Sequence, residues 1–266
     1  MNCKATTRHV QTSIQTITPD EAEVMLKKNT RNRPICPATV KELSREMIEG
    51  KWKLNGDTLC FSGDALIDGQ HRLLACIKSG VPFTTLVVDG VEADVFATKD
   101  SGKRRSAADT LSVQGETNAA AISAALVIVD KYLTTRMMSS VVYTNGDILG
   151  ILEKHPDIRA SVPICTRHKR AILRPSISIA LHYMFSILDK AAADKWIERI
   201  HKGAGLEEGS PTYLLRERLV ANTMSNAKLP KHIIIALCVK AWNAERSGTK
   251  IKQLKYIDGE PFPIIR

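Results

Sequence analysis

Apolar and polar residues alternate in short blocks along the first part of the chain, which predicts a mixture of brief strands and helices. Helices are predicted over 18–29, 37–50 and 73–80, and strands within 57–68 and over 83–90. The run Thr18-Pro19-Asp20-Glu21 has the form of a capping box with proline in the first turn. Ser106 is predicted to cap another short helix. This pattern indicates a compact unit that combines strands and helices.

The pattern changes after residue 114, where long apolar stretches with helical periodicity take over. Helices are predicted over 119–133, 146–155, 157–171, 176–189, 191–201, 211–224 and 229–247, with Asn145 as the cap of the second. Only 250–265 looks extended. The prediction is an α+β chain with two domains, 1–114 and 115–266, the second being all-helical with a short extended tail.

Composition narrows the class of protein. Apolar residues make up 44% of the 266 residues and charged residues 25%, as in globular proteins. The sequence shows no apolar span of membrane length, and its first 15 residues lack the apolar core of a signal peptide. The six cysteines are scattered without a C-x-x-C pair, which favours reduced thiols over disulfides or zinc ligands. A cytoplasmic protein is therefore expected.

Positive charge is concentrated in the second half. Residues 1–120 hold 16 Lys+Arg against 15 Asp+Glu, a net of +1, whereas residues 121–266 hold 22 against 13, a net of +9. A basic excess confined to one half suggests that this half faces a polyanion, and DNA is the first candidate. A solvated basic surface without any partner is the alternative.

The stretch Asp68-Gly69-Gln70-His71-Arg72 lies where a predicted strand meets a predicted helix. A helix that begins there presents backbone N–H groups and the positive end of its dipole, which suits phosphate. Gly69 permits close backbone approach, Arg72 offers a planar fork of donors, and His71 can donate a hydrogen bond or carry a proton. Asp68 would repel an anion, so it is expected to orient a neighbour or to hold a metal ion beside the phosphate. The alternative is a tight turn in which Asp68 caps the helix and pairs with Arg72.

The stretch LIDGQHRLLACIKSGVPFTTLVV resembles the core of the ParB/sulfiredoxin superfamily. ParB proteins carry G-E-R-R at this turn, sulfiredoxins G-G-C-H-R, and related small-molecule kinases D-G-H-H-R. The upstream order is also similar, with Asn32-Arg33-Pro34 leading into a helix that contains Val40, Leu43 and Met47. The resemblance covers about residues 15–110. It implies a ParB/sulfiredoxin-like domain that binds a nucleotide or a nucleic-acid phosphate through Gly69, Gln70, His71 and Arg72.

The whole chain also resembles ParB-like proteins of phages and mobile elements, which combine a D-G-Q-H-R domain with a helical domain. The matching segments are Lys240-Ala241-Trp242-Asn243 and the tail Gly259-Glu260-Pro261-Phe262-Pro263. This group implies no settled activity. Gln70 stands where ParB has its glutamate and sulfiredoxin its cysteine, so neither CTP hydrolysis nor sulfinic-acid repair carries over.

Further cations are expected to complete a phosphate site. Arg31 and Arg33 lie in the loop that the resemblance places beside the turn, and Lys103, Arg104 and Arg105 form a basic loop, for which a solvated turn is the alternative.

The candidates for catalysis are Asp68, His71 and Glu46. Asp68 is also the candidate metal ligand. A glutamate on a helix, such as Glu46, is usually solvated.

The candidates for DNA binding are Arg167, Arg170 and Arg174, which are predicted to share one helical face that follows DNA. A charged outer face without a partner is the alternative.

Three functions remain open. The first is a protein that binds a nucleotide, ATP or CTP with Mg²⁺, in its first domain and DNA in its helical half. Such a protein would catalyse phosphoryl transfer or hydrolysis. It could act as a homodimer. The second is a DNA endonuclease of ParB-like type, and the third is a DNA-binding regulator without catalysis. The absence of a carboxylate cluster in the sequence argues against the second, and the complete D-G-x-H-R turn argues against the third.

Overall fold

The computed structural model describes residues 10–30, 32, 34–92, 105–138, 140–168, 171–257 and 259–266. Contacts divide the chain into two units, residues 1–104 and residues 105–266. The first unit contains a mixed four-stranded sheet with helices, and the second contains only helices among its described elements. The predicted α+β class is therefore confirmed.

Four strands and three helices form the described part of the first unit. They are β1 (Gln11–Ile17), α1 (Pro19–Leu26), α2 (Pro37–Ile48), β2 (Thr58–Ser62), β3 (Ala65–Asp68), α3 (Gln70–Ser79) and β4 (Phe83–Asp89). The strand order is β1-β4-β2-β3, and only the β2–β4 pair is parallel. Helix α3 packs against α1 and α2, and its apolar side joins a core that includes Leu59, Leu66, Leu73 and Phe83. This core fixes the strand-to-helix junction at residues 68–70.

Strand β1 is the element that sequence reasoning missed, because most of its residues are polar. It pairs with β4 along its whole length, from Gln11 with Asp89 to Ile17 with Phe83. Only Ile17 is buried, whereas the six residues before it are exposed. Thr12, Ile14 and Thr16 are β-branched, and this is the local signal that favours a strand.

Seven helices form the described secondary structure of the second unit. They are α4 (Ala107–Val113), α5 (Ala119–Thr135), α6 (Asn145–Lys154), α7 (Ile158–Thr166), α8 (Pro175–Lys202), α9 (Pro211–Met224) and α10 (Lys231–Arg246). Leu111 of α4 is buried in the core of this unit. The unit therefore begins at residue 105, ten residues before the boundary expected from the change in periodicity.

The local signals at helix ends are confirmed in most cases. Thr18 and Ser106 each close a capping box, with Glu21 and Asp109 respectively. The cap of α6 is Thr144 instead of Asn145, since its hydroxyl accepts from the Asp147 N–H. The division predicted between helices 176–189 and 191–201 is confirmed, because the backbone of α8 is non-helical at Asp189, where φ is −159° and ψ is 99°.

The chain after α10 forms no further helix or strand among its described residues. Residues 240–243, which belong to α10, hold this last part of the chain against the helix. The Trp242 indole N–H donates to the Arg266 carbonyl at 3.2 Å, and the Asn243 amide donates to the Ile264 carbonyl at 2.7 Å. Lys240 reaches the carbonyl of Lys255 at 2.8 Å. This segment therefore packs α10 against the tail, as its residue types suggested.

Among the helices of the described residues, none is both long enough and apolar enough to cross a membrane.

Helix α8 carries a buried histidine, His201, in its last turn. The Ile172 N–H donates to Nδ1 of His201 at 3.2 Å, so Nε2 carries the proton and donates to Ser178 Oγ at 3.1 Å. Burial, with a smaller contribution from nearby His168, lowers the pKa of His201 to about 4. Protonation of Nδ1 would turn this acceptor into a second N–H that faces the Ile172 N–H. This unfavourable contact agrees with a lowered pKa.

We expect the stability of the second unit to fall as the pH drops from about 6.5 toward about 4. In this window the unfolded chain protonates His201 and the folded chain does not, so acid favours unfolding. Urea unfolding between pH 7 and pH 4 measures the effect. Burial also lowers the pKa of His168 and His182, so His201→Gln should flatten the pH dependence only in part. An unchanged pH dependence in this variant would contradict the assignment.

Candidate functional site

The strand-to-helix junction depends on Gly69. Strand β3 ends at Asp68 and helix α3 begins at Gln70, so Gly69 is the N-cap, with φ of 110°. A side chain there would strain the backbone, and a Cβ atom would lie 2.2 Å from Cδ2 of Leu59, which is fully buried. The glycine therefore lets α3 start directly above β2.

Arg72 lies between two carboxylates. Its Nη2 is 3.2 Å from Oδ2 of Asp68, and its Nη1 is 3.9 Å from Oδ2 of Asp57. The side chain of Arg72 is only 12% exposed, and its Nη1 is buried without a hydrogen-bond partner. The ion pair of the alternative interpretation is thus present, yet one donor of the guanidinium meets no acceptor in the described part of the chain.

Gln70 and His71 hold the loop that precedes α2. Both are buried, with 3% and 8% of their surface exposed. The Asn29 amide donates to Gln70 Oε1 at 3.1 Å, and the Cys36 N–H donates to His71 Nε2 at 2.9 Å. Asn32 joins this network through Asn29 Oδ1 and the Leu66 carbonyl. The two turn residues therefore position the loop of 29–36, and a proton-transfer role of His71 at Nε2 would have to compete with the Cys36 N–H.

The remaining acid candidates do not form a metal cluster. Within the described ranges, no group of three or more His, Cys, Asp or Glu side chains is arranged to hold a metal ion. Glu46 lies half-buried on α2, the helix that packs against α3. Asp68, already paired with Arg72, would have to share Mg²⁺ with the oxygens of a bound phosphate, as Mg²⁺ sites commonly do. The catalytic roles of Asp68, His71 and Glu46 stay predictions.

Most of the cations expected beside the turn fall outside the described residues. These are Arg31, Arg33, Lys103 and Arg104. Arg105 is described, is exposed, and belongs to the second unit, where its carbonyl accepts from the Asn145 amide at 3.0 Å. The expected convergence of these cations on Arg72 therefore stays a prediction.

The predicted cationic stripe on one helix is wrong in its geometry. Helix α7 ends at Thr166, so Arg167 follows it, and Arg174 precedes α8 with extended backbone, φ −59° and ψ 141°. Pro175 begins α8 and disfavours helical backbone at the residue before it. Arg167 is 3.9 Å from Glu198, and Arg170 lies outside the described residues. Arg167 and Arg174 are exposed, but they share no helix.

Cations outnumber acids more strongly in the segment that contains α10 and the residues on either side of it. Residues 225–256 contain seven Lys+Arg and one Asp+Glu, a net of +6. A cavity of about 650 Å³ lies between the end of α10 and the tail. Among the described residues its lining includes Lys240, Arg246, Lys255 and Arg266 and no carboxylate side chain. The sequence signal for this surface is the lysine-rich run KIKQLK, which sequence reasoning described only as part of an extended tail.

Comparison with known proteins gave no match: no family model, no curated protein and no solved structure is significantly similar to the chain. Functional assignment therefore depends on the residues and their geometry.

Proposed function

We propose that the protein binds nucleic acid through the tail surface, which we define as Lys250, Lys252, Lys255 and the cations of the adjoining cavity, Lys240, Arg246 and Arg266. The observation that carries the proposal is the charge from Lys240 to Arg266, where the six cations of the tail surface stand against three acids, a net of +3. A surface of this kind attracts phosphate backbones by releasing their condensed counterions.

The ion pairs of this region sharpen the proposal. Lys240 is 2.6 Å from Glu260, and Arg246 is 3.1 Å from Asp189, so these two cations are partly neutralised. Lys250, Lys252 and Lys255 are exposed and form no ion pair with the described residues. Lys250 and Lys252 therefore keep their charge for a partner, whereas Lys255 also lies near Glu260, whose pKa it helps to lower.

The surface suits backbone contact better than base recognition. The aromatic residues beside it are engaged within the protein, since Trp242 is 1% exposed and Lys240 lies over the ring of Tyr256 at 5.3 Å. Binding should therefore tolerate many sequences, because phosphate contacts carry no sequence information.

Titration of the full chain against a labelled duplex of mixed sequence tests the proposal. With about four phosphates engaged, the logarithm of Kd should rise with the logarithm of the salt concentration with a slope of about 3.6. The affinity should change little when the duplex sequence is changed. Failure to bind at low salt would contradict nucleic-acid binding and would direct the search to an acidic protein partner.

We further propose that the first unit is a ParB/sulfiredoxin-like domain whose turn binds the phosphate of a nucleotide. Three observations support it: a strand enters a helix at Gly69, the adjacent loop is tied to Gln70 and His71, and Arg72 Nη1 lacks an acceptor. A buried donor without an acceptor is costly, and a phosphate oxygen would satisfy this one if the turn opened, since Nη1 has less than 1 Å² of accessible surface. No comparable observation favours nuclease or phosphoryl-transfer chemistry.

We expect a nucleotide, ATP or CTP, to raise the melting temperature of the protein, and Arg72→Ala to abolish this increase. Loss of a charge-assisted hydrogen bond costs about 1.5–3 kcal/mol, about 10- to 150-fold in Kd. Thermal-shift titration with and without Mg²⁺ measures it. Asp68→Asn is the matched control in the absence of Mg²⁺, because it removes the same ion pair and keeps the guanidinium. Equal shifts for the wild type and Arg72→Ala would exclude the turn from the site.

A further inference from the structure

The two edges of the four-stranded sheet differ in how they are protected. Strand β3 forms one edge and β1 forms the other. The outer side of β3 is covered, because the Leu66 N–H donates to the Lys28 carbonyl at 2.9 Å and the Leu66 carbonyl accepts from the Asn32 amide at 2.8 Å. Strand β3 also has only four residues, and its pairing with β2 contains a register shift. This edge is therefore closed to further strand pairing.

Strand β1 leaves its outer side open. Its seven residues pair with β4 on the inner side without a register shift. In an antiparallel pair, every second residue directs its N–H and C=O away from the neighbouring strand. Within the described part of the chain, the outward groups of residues 11–16 meet no hydrogen-bond partner. The strand therefore presents unused backbone donors and acceptors along its length.

The sequence of β1 carries none of the side chains that normally protect an edge strand. It reads QTSIQTI and contains no charged residue and no proline. Natural edge strands usually carry such residues, lysine above all, which hinder pairing with another chain. Ile14 adds an apolar group to the open strand, since it is 64% exposed. A long, uncharged and regular edge of this kind favours the addition of another strand.

Strand β1 is complementary to a second copy of itself. Antiparallel pairing about a two-fold axis through Ile14 places this residue opposite its own copy. The flanking pairs are then Ser13 with Gln15 and Thr12 with Thr16. Pairs of threonines stabilise a sheet, and the Ile14 pair removes apolar surface from water. No like charges meet, because the strand carries none.

We propose that the protein forms a homodimer in which the β1 strands of two copies pair antiparallel about Ile14, which joins the two sheets into one. The assembly stops at two copies, because the opposite edge, β3, is covered. The contact is a single pair of seven-residue strands, which is small for a permanent complex. We therefore expect a dimer that dissociates when the protein is diluted. The proposal is independent of nucleic-acid binding at the tail surface, since β1 belongs to the first unit.

Sedimentation equilibrium of the full chain, from micromolar to submillimolar concentration, tests the proposal. The wild type should change from monomer to dimer as the concentration rises. Ile14→Lys removes the apolar pair and sets two ammonium groups against each other, so the Kd of the dimer should rise about tenfold or more. Ile48→Lys is the matched control, because Ile48 is 63% exposed in the same unit and the change in charge is identical. It should leave the Kd unchanged.

Cysteine cross-linking tests the register of the two strands. Directly opposed residues of antiparallel strands have Cα atoms about 4.5–5.5 Å apart, which is within the reach of a disulfide. Ile14→Cys should therefore yield a disulfide-linked dimer on mild oxidation. Thr12→Cys is its control on the same face of the strand, and it should not cross-link, because it faces Thr16 of the partner subunit. The wild type gives the background from the native cysteines.

Two sets of results would overturn the proposal. A wild type that is monomeric at every concentration would mean that the outer side of β1 takes no second copy. Dimerisation of Ile14→Lys with the Kd of the wild type, or cross-linking of Ile14→Cys no better than that of Thr12→Cys, would mean that any dimer uses another surface.

Discussion

Gly69→Ala should lower the free energy of unfolding of the first unit by about 2–5 kcal/mol. Two costs add at this position. The backbone φ of 110° is unfavourable for a residue with a side chain, at about 1–2 kcal/mol. The new Cβ would lie 2.2 Å from Cδ2 of Leu59, and such overpacking typically costs about 1–3 kcal/mol. Leu59 is fully buried in the core and cannot move aside without displacing its neighbours. Urea unfolding of wild type and variant measures the difference.

Gly80→Ala is the matched control. Gly80 ends the same helix α3 with φ of 68°, and nothing lies within 4 Å of the point that a Cβ atom would occupy there. This variant should therefore show only the backbone cost of about 1–2 kcal/mol. Equal destabilisation by the two substitutions would mean that the close packing of the turn on Leu59 is not a feature of the protein in solution.

Replacing Lys250, Lys252 and Lys255 together by Gln should weaken binding to duplex DNA by about 10- to 500-fold at about 0.1 M salt. The range corresponds to loss of one to three phosphate contacts, each of about eightfold at this salt concentration. All three lysines are exposed and lie outside the helices, so the fold should be unaffected. Fluorescence anisotropy with a labelled duplex provides the Kd values.

A triple variant of the first unit, Lys27→Gln, Lys41→Gln and Lys53→Gln, controls for net charge. These three lysines are also exposed, and the change in charge is the same. Their replacement should alter the affinity by less than about threefold, because long-range attraction is screened at this salt concentration. If both triple variants lose affinity equally, only the net charge of the chain matters and the tail surface has no special role.

Local signals explain why much of the fold was predictable. The capping box of Thr18 with Glu21 involves residues three apart, and so does that of Ser106 with Asp109. The strand-to-helix junction at Asp68-Gly69-Gln70 likewise combines a local glycine with a change of periodicity. Such features need no tertiary information, and the structure reproduces them.

The elements that were missed depend on distant partners. Strand β1 is polar and exposed over six of its seven residues, and it exists because it pairs with β4, about 70 residues later. Helix α7 ends at Thr166, where a periodic pattern continued through the cations to residue 171. Periodicity alone cannot show where tertiary packing ends a helix.

One contact of the candidate site could be expected from the sequence. The alternative interpretation of the turn paired Asp68 with Arg72, four residues apart, and this ion pair is present. The sequence could not place Asp57 beside the same guanidinium, nor Cys36 against His71, because those contacts join residues 15 and 35 positions apart.

The slope of log Kd against log salt, measured on one duplex for the wild type and for the Lys250, Lys252 and Lys255 variant, tests the central claim most directly. Nucleic-acid binding at the tail surface predicts that the slope of the variant is smaller by up to about 2.7, the contribution of three phosphate contacts. The Lys27, Lys41 and Lys53 variant should retain the slope of the wild type. Identical slopes for all three proteins would contradict the claim that the tail surface contacts the phosphate backbone.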